Sequence, residues 1–227
     1  MCGRFVQFGS WAELRKTLVL SALPEVPPNY NVAPTQQVLV ARQQDGQRAG
    51  VLMRWGLIPS WAKDKKMAQI NARADTAAEK PMFRSAFKKR RCLVLANGYY
   101  EWSKVGKEKH PFLYQLKDGR AFGFAGLWET WNGDGAPLDT CTILTTDANE
   151  LARQVHDRMP VILEGGSVDA WLDPAVEDPK SLVQLLLPFP ADQMKCVPVS
   201  PLVNSVKNNS PECVSISGPE ARVESPE

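Results

Sequence analysis

The chain has 227 residues, 44% of them hydrophobic, and its 27 Lys and Arg nearly balance 25 Asp and Glu. That is enough apolar material for one sizeable core, and too even a charge for a protein that coats duplex DNA non-specifically. No run of about 18 apolar residues is present to span a bilayer, the N-terminus lacks a secretory pattern, and five scattered cysteines without a Cys-x-x-Cys pair argue against disulfides and zinc.

In chain order, a strand-like opening at Met1–Phe5 precedes Ser10 and Glu13, which fit a capping box ahead of Trp11, Leu14 and Leu18. That spacing predicts a helix over roughly 10–20. Pro24, Pro27 and Pro28 impose a loop, and β-rich runs follow at Val38–Ala41 and Val51–Trp55. The stretch from Asp75 to Arg91 is helical or mixed and ends in the basic cluster Lys88-Lys89-Arg90-Arg91, a solvated turn by composition. Strands are expected at Cys92–Leu95, Tyr99–Trp102, Pro111–Leu116, Ala121–Glu129 and Thr140–Thr145, as hairpins joined by turns such as Lys117-Asp118-Gly119. Asp147 and Glu150 form a second capping-box pattern that launches a helix toward His156. Two shorter helices, Ser167–Leu172 and Lys180–Leu187, flank Pro174 before a final strand at Cys196–Val199. Without a β-α-β alternation, the class is α+β: one domain over 1–209 with a central curved, mainly antiparallel sheet or open barrel flanked by helices. Residues 210–227, with a net charge of −3, read as a disordered acidic tail that leaves a modestly basic body.

Four polar islands could carry chemistry. The first is Cys2-Gly3-Arg4: removal of Met1 leaves Cys2 with a free α-amine, of pKa about 7.7–8.0, beside a thiol of about 8.5. Such a pair can close an aldehyde into a five-membered thiazolidine, although Met-Cys is also an ordinary way for a chain to begin. The second island, Asn71-Ala72-Arg73, fits a turn with a solvated arginine as well as a site. Glu101, in an aromatic stretch with Trp102, is a candidate general acid if burial raises its pKa, and an exposed strand carboxylate otherwise. His156, ahead of Asp157 and Arg158, suits either a helix C-terminus or a proton shuttle.

Taken together, Met1-Cys2-Gly3-Arg4-Phe5, Asn31-Val32-Ala33-Pro34, Trp55-Gly56-Leu57-Ile58-Pro59-Ser60-Trp61, Ile70-Asn71-Ala72-Arg73, Gly98-Tyr99-Tyr100-Glu101-Trp102, His156-Asp157-Arg158-Met159-Pro160 and Val203-Asn204-Ser205-Val206-Lys207-Asn208 resemble the SRAP (SOS response-associated peptidase) family. The motifs stand in family order and cover nearly the whole chain. Asp75 departs from the pattern, in which a glutamate is common there, and the Trp61 region is shorter than in some members.

The resemblance implies a sensor of abasic sites in single-stranded DNA that crosslinks to the lesion through Cys2 and shields it. Asn71, Glu101 and His156 would serve that chemistry. Arg4, Asn31, Pro34, Trp55, Arg73, Trp102, Arg158 and Lys207 would face DNA; Trp55, Trp61 and Trp102 are candidates to stack on bases, though tryptophans in such a chain more often belong to the core. No cofactor and no metal are implied, and the protein is expected to be a cytoplasmic monomer, associated with the nucleoid during DNA damage. The alternatives are a thiol autopeptidase or peptidase using Cys2, which the family name suggests, abasic-site lyase activity through the Schiff base, and a non-catalytic reader of modified bases.

Overall fold

In the computed structural model, which describes residues 2–133 and 135–217, the strands divide into two sheets. In chain order the elements are β1 (Phe5–Gln7), α1 (Ala12–Thr17), β2 (Asn29–Val32), β3 (Gln37–Gln44), β4 (Gln47–Trp55), β5 (Asn71–Arg73), α2 (Arg84–Lys89) and β6 (Arg91–Ala96). Then come β7 (Gly98–Val105), β8 (Glu108–Leu116), β9 (Phe122–Trp131), β10 (Leu138–Asp147), α3 (Glu150–Arg153), β11 (Arg158–Pro160), β12 (Ile162–Leu163), α4 (Gly166–Leu172), α5 (Pro179–Val183) and β13 (Met194–Pro198). The α+β class holds.

The smaller sheet runs β13-β8-β7-β1-β2. The larger runs β11-β10-β4-β3-β6-β9-β12, and because β9 also pairs with β10 its path closes on itself. Most pairs are antiparallel, as expected, with hairpins at β3–β4, β7–β8 and β9–β10, but the turn Lys117-Asp118-Gly119 makes no hairpin and carries the chain from β8 in the smaller sheet to β9 in the larger. The tight β3–β4 turn uses Asp45 and Gly46, both at positive φ, the backbone that matches strand twist in a two-residue hairpin. Two pairings are parallel: β10 takes β4 and then β5 along one edge.

Alternation along the strands builds two cores. In β6, Cys92, Val94 and Ala96 pack with Phe5, Tyr99 and Phe124 in a core shared by both sheets. The intervening Leu93 and Leu95 join Phe87, Trp171 and Leu182 under the helices. Every residue of β6 is therefore buried, which is why it reads as a continuous apolar run.

Several boundaries differ from the sequence expectation. The first helix is shorter than 10–20, because Ser10 accepts only from the Ala12 amide and Val19 turns to positive φ. The cap of α3 is Asn149, whose Oδ1 accepts from the Ala152 amide at 2.9 Å, and Asp147 stays in β10. The last helix stops at Val183. Residues 210–217 are not a tail: Pro211–Val214 form a helical turn, Cys213 is buried, and Ile216 bridges Val199. The domain thus reaches at least 217, and the rest of the expected tail lies outside the described residues. No helix among the described residues is long and apolar enough to cross a membrane.

Candidate active site

The N-terminus is fixed alongside β7. Phe5 pairs with Tyr99, and the Tyr100 amide donates to the Arg4 carbonyl at 3.0 Å, so the antiparallel run carries Cys2 back past Glu101. Cys2 is fully buried in the shared core. Burial, reinforced by the negative charge of Glu101, pushes its thiol far above the ordinary range. This corrects the ordinary thiol value of about 8.5 expected from the sequence: in the resting site it is S–H. The expected free α-amine depends on Met1, which lies outside the described residues.

Glu101 is 6% exposed, and burial raises its carboxyl above the usual range while the charge of His156 opposes the rise. A carboxyl so placed keeps its proton to higher pH than a solvated one, which is what a general acid requires.

The other half of the site is organised by the C-terminal end of β10. On one edge it pairs with β5 from Ile143↔Asn71 to Thr145↔Arg73, and on the other with β11, Asp147↔Arg158. Asn71 thereby reaches the N-terminus, its Nδ2 donating to the Cys2 carbonyl at 2.8 Å. Its Oδ1 is buried and has no hydrogen-bond partner among the described residues. The preceding carbonyl, of Ile70, accepts from Trp55 Nε1 at 2.9 Å, which holds β5 in place.

His156 follows α3, its amide bonded to the Ala152 carbonyl at 2.9 Å. Its Nδ1 lies 3.0 Å from the Arg158 amide and 2.7 Å from Asp157 Oδ1. Without a proton that nitrogen accepts from the amide, and with one it donates to the carboxylate. Either state has a partner, as a shuttle requires.

The expected DNA-facing residues separate into three groups. Trp55 is wholly buried, edge-on to Phe5 with ring centroids 4.9 Å apart, and is core rather than a base platform. Asn31 is 1% exposed, and its Nδ2 donates to the carbonyls of Ser205 (2.9 Å) and Asn208 (2.7 Å), so its side chain fastens the 203–208 loop and is closed off from solvent. Half-buried Arg4 donates to Asn31 Oδ1 (2.6 Å) and the Val203 carbonyl (3.1 Å) and lies over the Trp102 ring. Trp102 in turn donates from Nε1 to Asn204 Oδ1 at 2.6 Å. Pro34 is half-buried, in the turn before left-handed Thr35, and Lys207 is exposed on the 203–208 loop.

Arg73 and Arg158 converge at a cleft of about 500 Å³ that Asn71 also lines. The cleft is also lined by exposed Trp61, a stacking candidate from the sequence, and adds two unexpected features, Lys80 and an apolar wall of Met82 and Phe83. Arg73 grips Asp75 through Nε (3.0 Å) and Nη2 (2.6 Å), while Arg158 Nη2 donates to Thr145 Oγ1. Burial, with the nearby charge of Arg73 adding to it, lowers the Arg158 pKa. A larger cleft of about 1690 Å³, between α1, the start of β4 and α4, contains none of the expected site residues. The basic run divides in half: Arg90 pairs with Glu129 at 2.7 Å and Arg91 is buried, while Lys88 and Lys89 are exposed.

The chain is similar to known proteins over most of its length. The family model described as SOS response associated peptidase (SRAP) matches residues 1–206. The abasic site processing protein YoqW of Bacillus subtilis (strain 168) is 47% identical over 222 residues, 94% of this chain and 99% of that one. The abasic site processing protein HMCES of Gallus gallus is 36% identical over 222 residues, 82% of this chain and 66% of that one. A crystal structure of a protein from Bacteroides thetaiotaomicron superposes with a TM-score of 0.82 at 28% identity, covering 95% of this chain and all of that one.

Proposed function

Since this chain belongs to the SRAP family, we propose that it processes abasic sites in single-stranded DNA by a covalent crosslink through Cys2. The observation that carries this reading is the Asn71 hydrogen bond to the Cys2 carbonyl, which fixes the N-terminal residue beside a buried carboxyl.

An abasic deoxyribose is mostly a closed hemiacetal. Glu101 donates its proton to the ring oxygen as the C1′–O bond breaks and the C1′ hydroxyl gives up its proton to His156, leaving the aldehyde. With Met1 removed, the Cys2 amine adds to C1′ and water leaves, forming a Schiff base. His156 carries protons between these steps, and Asn71 Oδ1 accepts from the amine or from the sugar hydroxyl.

The thiol then adds across the C=N bond to close the thiazolidine. Its raised pKa means that S–H must lose its proton as sulfur attacks, and Glu101, ionised by the first step, is the acceptor beside it. The proton lost by sulfur restores Glu101, and the imine nitrogen takes from His156 the proton that the C1′ hydroxyl gave up, ending as an amine, so the net reaction is amine, thiol and aldehyde giving the ring and water. Ring closure competes with β-elimination, which from the Schiff base would cut the strand. A buried, protonated thiol gives no support to attack on a separate peptide chain, so the peptidase reading takes second place.

Single-strand binding draws on cations and a flat ring in one cleft: Arg73, Arg158 and Lys80 for phosphates, Trp61 for a base. The test is incubation of Met1-free protein with single-stranded DNA bearing one abasic site, followed by a denaturing gel. Wild type should give a heat-resistant shifted band and Cys2→Ala none. A band of equal intensity from Cys2→Ala would overturn the assignment.

A further inference from the structure

The β7–β8 hairpin carries a feature that the crosslinking chemistry does not use. Beyond Trp102, which pairs with Pro111, the ladder continues through Ser103↔His110 to Lys104↔Lys109, with Lys107 near the tip. Lys104, Lys107 and Lys109 are all exposed, and among the described residues none forms an ion pair. The one carboxylate of the segment, Glu108, lies 3.7 Å from His110.

Like charges directly opposite in an antiparallel pair destabilise it. Lys104 and Lys109 are such a pair, and they share a strand face with Trp102, over which Arg4 is stacked. Glu101, one residue away, faces the other side toward Cys2. The ribbon thus divides its labour, with acid chemistry on one face and a line of cations on the other. Lys104 stands about 10 Å along the strand from Glu101. The base of the ribbon is tied to the loop that carries Lys207, because Asn204 accepts from Trp102 at 2.6 Å and donates to the Lys109 carbonyl at 3.4 Å. Residues 103–109, which carry the three lysines, contain no aromatic ring on which a base can stack.

We propose that this hairpin is a second binding arm, in which Lys104, Lys107 and Lys109 hold the phosphodiester backbone of the lesion-bearing strand where it leaves the site. The inference rests on the DNA-binding reading above and extends it beyond the reaction centre. An arm of three cations without rings adds affinity that is independent of sequence and sensitive to salt.

The experiment uses two single-stranded oligonucleotides, about 5 and about 20 nucleotides long, each with a central abasic analogue that cannot open to an aldehyde, so that binding is reversible. Affinity is measured by fluorescence anisotropy across a salt series for wild type, for the triple variant Lys104→Gln/Lys107→Gln/Lys109→Gln, and for the corresponding triple Lys→Arg variant. Each phosphate contact on a single strand contributes about 0.7 to the slope of log K against log salt. The Gln variant should therefore lose about 2 from the slope for the long oligonucleotide, with about a tenfold loss of affinity at low salt. Its binding to the short one should stay within about twofold, and the Arg variant should keep the wild-type slope.

An unchanged slope for the long oligonucleotide overturns the proposal, and so does an equal loss for both lengths, which would mean a role in folding the site. Wild type that binds neither length overturns it together with the reading on which it rests. Wild type that binds the long strand but never crosslinks an authentic abasic one breaks that reading alone.

Discussion

Arg91 and Asn71 are both polar side chains drawn out of water, and the protein treats them in opposite ways. The Arg91 guanidinium, in the helix-covered core, donates to five carbonyls: Phe87 and Lys88 at the end of α2, and Trp171, Asp173 and Val176 at and beyond the end of α4. It caps the C-termini of two helices at once, where both the exposed carbonyls and the helix dipoles favour a cation. Burial lowers its pKa, and Asp173 and Glu177 pull it back. Asn71, at the N-terminal site, spends Nδ2 on Cys2 and leaves Oδ1 buried without a partner among the described residues. An unmet buried acceptor costs roughly 1–3 kcal/mol. The difference is one of two environments: Arg91 is saturated by the helix ends it caps, and Asn71 keeps at the site a buried acceptor for a ligand to fill.

The sharpest break in that comparison is Glu101→Gln, which should slow crosslinking by about 10²-fold or more, the scale of a lost general acid. In wild type the rate should fall as pH rises through the raised Glu101 pKa, and the Gln variant should lose that limb. A carboxyl whose pKa is raised in the folded state stabilises the fold fully below its unfolded value, and the contribution is lost as pH rises through the folded one. Above that pH, Glu101→Gln should therefore be more stable than wild type in urea denaturation, while being slower in the gel assay. An unchanged rate would remove Glu101 from the acid role.

Arg91→Ala tests the other arm and should behave in reverse. Stripping five carbonyls of their donor should cost at least about 3 kcal/mol in denaturant unfolding. Crosslinking per folded molecule should be unchanged at a temperature where the variant is still folded, and a specific loss of rate would dissolve the distinction between the two regions.

The smallest effect sharpens the assignment of the cleft. Trp61→Ala removes a ring that is 57% exposed, so stability should move by less than about 0.5 kcal/mol. Binding of single-stranded DNA should weaken by about 1–3 kcal/mol, the worth of one stacked base, read by anisotropy.

Much of this molecule is legible in the chain. Apolar runs with β-branched and aromatic residues set the main strands, prolines and glycines set the breaks, and the α+β class follows from their order. Boundaries were less legible where caps decide them, as with Asn149 in place of Asp147. The short strands β5 and β11, three residues each, could not be read at all, because strands of that length carry no period. They are the ones that deliver Asn71 and Arg158. Trp55 and Trp61 share one motif, yet the first is wholly buried and the second stands in solvent. A tryptophan suits a core or a stacking platform equally, and only its neighbours decide.

The sequence by itself determined which groups are available: an N-terminal residue with a thiol and a latent amine, a carboxyl among aromatics, and a histidine between a helix and two charged residues. Those are properties of covalent structure and local composition. Tertiary structure decided their states. Burial against both sheets makes the Cys2 thiol hold its proton and raises the Glu101 carboxyl, the pairing of β5 with β10 brings Asn71 to the N-terminus, and the 203–208 loop claims Asn31. Desolvation and hydrogen bonding between segments far apart in the chain set these outcomes, and both exist only once the two sheets have closed on a common core.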